Sequence, residues 1–267
     1  MSNMINALFL KIEHFLYKSW INPFATFYLN FRCLPFMQAY RMPIIVYGRI
    51  SLPSLGGKII FDTDCIRCGL LKIGKRYCRT QGTTRLCIDG NLYVGKNVTI
   101  EGGTEVNIRP RAKLILKEGT QIFEDCMIFC YEKIEIGKHS RITYHANILD
   151  TDFHFCVDLA TRIIRNHTKP IKIGNYNWIG NKATIKKGTI TPDYTIVAAS
   201  YSLLNKDYTE SCPPYPILGG LPAKVIGSGK RRVFNLENQS KLELYFSQHK
   251  DESFTCCDDI DQFCHFE

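Results

Sequence analysis

The chain has 267 residues, 45% of them hydrophobic and 22% charged, which excludes a collagen-like, low-complexity or largely disordered polymer. The length allows one large domain with appendages or two small ones. The formal net charge of +9 favours anionic partners, but it is spread along the chain without a polybasic block. Charge alone therefore does not choose among nucleic acid, acidic lipid and a phosphorylated substrate.

Near the N-terminus, Ile5, Leu8, Phe9, Ile12, Phe15 and Leu16 recur at helical spacing, flanked by Lys11 and Lys18. The pattern predicts a helix that packs on the main body or a neighbouring subunit, or lies on a membrane surface. No apolar run reaches the roughly 18 to 20 residues that a membrane span needs. A signal-peptide cleavage pattern is missing, and the twelve cysteines are irregularly spaced, so reduced cytoplasmic thiols are expected. Cys65 and Cys68 form half of a zinc motif without a second pair at ribbon spacing, and no metal is expected.

A six-residue period then takes over. Aliphatic residues fall at Ile88, Val94, Ile100 and Val106, at Leu116, Ile122 and Ile128, and at Ile136, Ile142 and Ile148. A fourth tract has Ile173, Ile179 and Ile185, skips Thr191, and resumes at Val197 and Leu203. Ile66 and Ile73 fit loosely upstream. Four positions after the aliphatic residue the side chain is small, as at Val98, Thr104, Thr120, Cys126, Ser140, Ala146, Ala183, Thr189 and Thr195. Six is neither the helical 3.6 nor the strand period of two. It fits a triangular coil in which each hexad makes one side and one corner, three hexads close a turn, and stability comes from stacking turns. The competing reading is an all-β sandwich with a hairpin at Asp89-Gly90. That reading leaves unexplained why the phase of six persists on both sides of the turn.

Three segments carry a family resemblance: KPIKIGNYNWIG at 169–180, VAASYS with NKD at 197–202 and 205–207, and GGLPAKVI at 219–226. They resemble the hexapeptide-repeat acyltransferases, closest to the branch that O-acetylates galactosides, maltose and polysaccharides. The resemblance covers about residues 60 to 227. It implies an all-β, left-handed parallel β-helix; the handedness is implied by the family and is not read from the period. It also implies a homotrimer with active sites between subunits. The expected organisation is a helical segment at 1–45, the β-helix domain at 46–227 with an extended loop around 153–170, and a helical tail at 228–267. That tail, with Leu236, Leu242, Leu244 and Phe246, is expected to cap the coil end or to reach toward CoA phosphates.

The repeat breaks between Ile148 and Ile173, where the chain reads Asp150, Thr151, Asp152, Phe153, His154 and continues to His167. The family places its catalytic histidine just before an extended loop, and His154 is the matching position. Acyl transfer from a thioester to an alcohol needs a base for the hydroxyl proton, and neutral imidazole is suited to it. Asp150 and Asp152 are the candidates for orienting that ring. No Gly-x-Ser-x-Gly elbow is present, which favours direct transfer over an acyl-enzyme. Cys156 is the alternative nucleophile; His139, His145 and His167 are further candidates to line the cleft.

For acetyl-CoA, the resemblance points to Trp178, Asn181, Ala199, Asn205, Lys206 and Lys224. Asn205 stands where the family has Thr, and one extra residue precedes Ser202, so Ala198 or Ser200 competes with Ala199. The expected acceptor is a carbohydrate or lipid-linked glycan, with no nucleic-acid partner. Peripheral membrane contact through the N-terminal segment would put the protein at the inner face of the membrane. The rival readings are a sugar N-acyltransferase, a β-helical carbonic anhydrase with His139, His145 and His154 on zinc, and a non-catalytic scaffold.

Overall fold

In a computed structural model, residues 20–75, 82–250 and 252–265 are described, so the predicted helix over residues 5–16 lies outside them. The described strands form three sheets of nine, seven and five strands. The first runs from Ile44–Val46 to Lys224–Gly227, the second from Ile50–Ser54 to Leu203–Leu204, and the third from Lys58–Phe61 to Ile171–Ile173. Successive strands pass from sheet to sheet, so each pairs with a strand one full turn away, parallel in every pair but the last. Ile179 pairs with Val197, 18 residues on, which is three hexads of six. The fold is a parallel β-helix.

The hexad aliphatics build the core as columns. Along the first sheet Val46, Ile73, Ile100, Ile122, Ile142, Ile179, Val197 and Leu218 stack in register, each buried. The second sheet contributes Leu86, Val106, Ile128, Ile148, Ile185 and Leu204 in the same way. Each such side chain is worth about 1.5–3 kcal/mol on leaving water, and only the next turn can supply the cover. The small positions are all buried as well.

Two expectations shift. The inward residue of the last second-sheet strand is Leu204, not Leu203, because the extra corner residue before Ser202 advances the register by one. The Asp89-Gly90 turn is a coil corner and not a hairpin: Thr84–Ile88 and Asn91–Val94 belong to different sheets.

Corners are made by residues in the left-handed region of backbone space, among them Asn97, Asp125, His139, His145, Tyr176, Lys182 and Tyr194 at φ between 53° and 59°. A bulky side chain pays about 1 kcal/mol or more for that conformation. At the corner between the third and first sheets the side chains offset it by stacking: His139 on Tyr176 at 5.1 Å and Tyr176 on Tyr194 at 5.1 Å.

The C-terminal tail docks onto this ladder. Helices α3 (Leu236–Gln248) and α4 (Ile260–Cys264) return the chain so that His265 stacks on Tyr176 at 4.5 Å, while the Arg231 guanidinium lies 4.4 Å over the Tyr194 ring. The tail therefore lies along the side of the coil at this ladder.

The coil's first edge is closed by helix α1 (Pro23–Cys33), started by the Asn22 cap and by proline at its first turn. Its buried Asn30 pairs with the edge strand through its side chain: Nδ2 donates to the Ile44 carbonyl at 2.8 Å and Oδ1 accepts from the Ile44 N–H at 3.1 Å. Thr26 Oγ1 accepts from the Val46 N–H at 3.0 Å. At the other edge, Lys224–Gly227 reverses and pairs antiparallel with Ile217–Gly219.

Candidate active site

Two corners of the coil carry the residues singled out in the sequence. At the corner between the second and third sheets the chain leaves the repeat after Asn147–Leu149 and returns at Ile171–Ile173. The excursion is an irregular hairpin held by the pairings Thr151–Thr168 and Val157–Ile164. Its base is anchored by Phe153, which meets Phe129 and Tyr131 edge-on at 5.6 Å each. His167 Nδ1 lies 2.9 Å from Thr151 Oγ1, and its ring meets Phe155 at 4.5 Å. His154, between Phe153 and Phe155, is exposed and lines a cavity of about 340 Å³ with Asp152, Cys156, Asp158, Arg165, His167 and Lys187.

The carboxylates at this corner have other engagements. Asp150 is fully buried, and its two oxygens accept from the backbone N–H groups of Tyr131, Glu132 and Lys133 at 2.7, 2.8 and 2.9 Å. Burial raises its pKa against the pull of those three amides. The expectation that Asp150 orients His154 is therefore corrected: it pins the turn of the preceding coil, and through that turn the root of the loop. Asp152 bridges Lys186 at 3.1 Å and Lys187 at 2.6 Å. Partial desolvation works against ionisation of Asp152, but its bonds to the two lysines outweigh it and hold the carboxyl below the usual range. The His154 main chain is set by its N–H donating to the Asp152 carbonyl at 2.7 Å. Among the described residues no side chain hydrogen-bonds its ring.

The corner between the first and second sheets keeps the repeat intact and holds a cleft of about 180 Å³. It is lined by Thr143, Trp178, Gly180, Asn181, Ile196, Val197, Ala198 and Ala199. The outward residue just past each first-sheet aliphatic is Glu101, Phe123, Thr143, Gly180 and then Ala198 on successive turns. The cleft opens where that series shrinks to glycine and alanine. Close approach of the turns requires it, since a Cβ on Gly180 would lie 2.5 Å from the Ala199 nitrogen and 2.6 Å from the Val197 carbonyl oxygen. On Trp178, at the cleft wall, the tail places Arg232, its guanidinium 4.9 Å over the ring. Lower on the same corner Glu101 is buried, with one carboxylate oxygen lacking a hydrogen-bond partner. Desolvation, then the Glu124 charge, raise its pKa to about 8, against the opposing pull of Lys75 and Arg141.

Trp178, Asn181 and Ala199 are thus brought together, as the sequence led one to expect. Asn205 and Lys206 are not with them. They follow Leu203–Leu204 in the second sheet, one turn beyond Lys186 and Lys187, at the corner that carries the loop. Lys224 is exposed and pairs with Gly219, which packs next to Ala198, at the cleft's outer rim. His139 belongs to the ladder, His145 to the cleft corner and His154 to the loop corner, so the trio that zinc would need is spread over three corners. Every described cysteine is a free thiol, Cys156 exposed among them. Sequence reasoning missed that Arg232, the last residue of the basic run 230–232, lies on Trp178, and that Lys186 and Lys187, which look like ordinary surface lysines, clamp Asp152.

No family model matches the chain. Among curated proteins it is 23% identical over 146 residues to WbbJ of Escherichia coli (strain K12), named as an O-acetyl transferase of lipopolysaccharide biosynthesis, covering 52% of this chain and 72% of that protein. It is 27% identical over 205 residues to an uncharacterized 24.8 kDa protein of the Klebsiella pneumoniae cps region, covering 73% of this chain and 84% of that one. Among solved structures, the polysialic acid O-acetyltransferase OatWY aligns with a TM-score of 0.47 and 20% identity over 74% of this chain and 100% of that chain. The polySia-specific acetyltransferase NeuO aligns at 0.41 and 21% over 78% and 84%. The chain is a parallel β-helix built of hexapeptide repeats. In its motifs and its relatives alike, the family it resembles is that of the hexapeptide-repeat acyltransferases.

Proposed function

We propose that the protein is an acetyl-CoA-dependent O-acetyltransferase acting on a hydroxyl of a sugar or surface polysaccharide, with His154 as general base. The observation that carries the reading is the position of His154, on an excursion that breaks the coil just before the 169–180 motif, facing a cavity large enough for a sugar ring. The similarity to WbbJ supports the reaction class.

In this reading the His154 imidazole takes the acceptor's hydroxyl proton as the oxygen attacks the thioester carbonyl. The C–S bond of the tetrahedral adduct then breaks, the acetyl ester remains on the sugar, and the departing thiolate takes the proton from the imidazolium. Asp152, fixed by Lys186 and Lys187, borders the cavity and shapes its charge, and Asp150 acts on the loop only through the turn it caps. Acetyl-CoA is the second substrate in this reading: its pantetheine arm takes the narrow cleft of Trp178, Asn181 and Ala199, Lys224 at the rim of that cleft meets its phosphates, and Asn205 and Lys206, at the loop corner, reach them from a neighbouring copy.

Cleft and cavity stand on different corners of one coil, with the strand Thr184–Lys186 between them. From Asn181 to Lys187 the extended chain spans at most about 20 Å. This supports a homotrimer in which the loop corner of one copy meets the cleft corner of the next. Peripheral membrane contact at the N-terminal end, with a lipid-linked glycan as acceptor, completes the reading, at the inner face of the membrane.

The test is release of free thiol from acetyl-CoA by wild type and His154→Ala against sugars, amino sugars and lipid-linked glycans. A fall of about a hundredfold or more in the variant, with CoA binding retained, supports the assignment. Absence of CoA binding in both proteins removes the acyltransferase reading and leaves a scaffold.

A further inference from the structure

Helix α1 presents two stripes of opposite expected character. Thr26, Leu29, Asn30 and Cys33 face the coil and are buried. The opposite stripe, where a surface helix normally carries polar residues, is Phe24, Phe27, Tyr28 and Phe31. Phe24 is 88% exposed, and Phe27 stacks on the half-buried Phe31 at 4.4 Å. Helix α2 (Phe36–Ala39) extends the patch: Phe36 meets Phe31 edge-on at 5.9 Å and is 71% exposed, followed by Met37 at 69%. Trp20 and Tyr40, both exposed, border it. A contiguous aromatic surface of this kind on the end of a solenoid marks a docking face.

Charge identifies the occupant. Between residues 20 and 61 the chain has four basic residues, Arg32, Arg41, Arg49 and Lys58, and no acidic one. Arg32 stands one helical turn beyond Tyr28, and Arg41 follows Tyr40. A second copy docked face to face would set these arginines against their own equivalents. An anionic bilayer complements them, and Trp, Tyr and Phe beside Arg are the composition of an interfacial membrane contact.

We propose that the aromatic face of α1 and α2 seats the N-terminal end of the coil on an anionic phospholipid surface. The docking stands on its own geometry; its use in presenting lipid-linked acceptors rests on the acyltransferase reading. Five strand spacings of about 4.8 Å separate Ile44–Val46 from Trp178–Ile179 in the first sheet, so the cleft would lie roughly 24 Å beyond the edge strand on which α1 sits, with the thickness of that helix still between the strand and the bilayer.

The experiment is co-sedimentation of the full chain with vesicles of phosphatidylethanolamine and phosphatidylglycerol, compared with phosphatidylcholine alone. It is paired with quenching of tryptophan fluorescence by brominated lipid in a Trp178→Phe background, which leaves Trp20 as the reporter. Wild type is expected to pellet with the anionic vesicles, less as salt rises, and Trp20 to be quenched. The triple variant F24S/F27S/F36S should lose binding by about tenfold or more while keeping its melting temperature and oligomeric state, and R32E/R41E should lose it on anionic vesicles. Equal pelleting of wild type and the serine variant overturns the proposal. So does failure of wild type to bind either vesicle, or a change of oligomeric state in the serine variant, which would make the face a protein interface. Thiol release on a soluble acceptor, measured in the same serine variant, should be unchanged. If docking fails while that turnover persists, only this inference falls; if turnover is absent while docking persists, only the acyltransferase reading falls.

Discussion

The loop corner and the cleft corner share one repeat and one core, yet they are built in opposite ways. At the cleft corner the hexads run without interruption, and the cavity appears by subtraction, as the outward residue shrinks to Gly180 and Ala198. At the loop corner the repeat is broken and the cavity appears by addition, from a hairpin rooted by buried Asp150 and by Phe153. A solenoid can therefore make a narrow slot for a long substrate by editing single residues. A wider site with titratable groups needs chain that is free of the inward-outward alternation.

The sharpest way to break this contrast is at the root of the loop. Asp150→Ala leaves three backbone amides without their acceptor and should destabilise the protein by about 3 kcal/mol or more, read as a fall in denaturant midpoint together with loss of turnover. His154→Ala should lower kcat by about a hundredfold at unchanged stability, which separates chemistry from loop architecture in a thermal melt and a single-turnover assay.

At the cleft corner the effects should be smaller. Glu101 has its pKa raised from 4.5 to about 8 in the fold, so the folded chain holds a proton there that the unfolded chain releases above its ordinary value. Its contribution is therefore fully favourable at low pH and is lost as pH rises toward 8, by at most about 1.4 kcal/mol per pH unit. Urea titrations at pH 5.5 and pH 8 should show wild type losing about 1–3 kcal/mol relative to Glu101→Gln across that interval. An equal pH dependence in the two proteins would assign the buried proton elsewhere. Gly180→Ala, whose Cβ meets backbone of the next turn, should raise the KM for acetyl-CoA by about tenfold with a smaller change in kcat. Least affected should be Arg232→Ala, where loss of the cation over Trp178 should cost about 0.5–1 kcal/mol of tail docking, seen as earlier proteolysis of the tail.

What could be read from sequence follows the same division. The columns of Ile100, Ile122 and Ile142 were legible because burial repeats with the period of the chain, and the coil's sheets are those columns made solid. The start of the coil was not: Ile44–Val46 lies among residues whose spacing is set by the cap, and the loose fit of Ile73 hid a strand in which Ile73 itself stacks between Val46 and Ile100 before the register shifts at Lys75. Trp178, Asn181 and Ala199 converge because residues 18 apart sit one turn apart, which the period predicts. The mistaken part was Asp150. Nearness in sequence to His154 suggested partnership, but the corner turns its side chain inward, where the amides of the turn below meet it. Nothing in a local motif reports which way a corner residue points, or that the tail returns to lay Arg231 and Arg232 on aromatic rings of distant hexads.

A stack of parallel strands with hydrogen-bonding groups free at both ends is, chemically, a monomer ready to polymerise, since each end can accept the opposite end of another molecule. In the first sheet one edge is occupied by the amide of Asn30 and the hydroxyl of Thr26, which mimic a neighbouring strand, and the other edge by a strand that runs antiparallel and so breaks the parallel register of the stack. Among the described residues the nine-stranded sheet thus carries, at both of its edges, features that oppose its extension by another copy in parallel register.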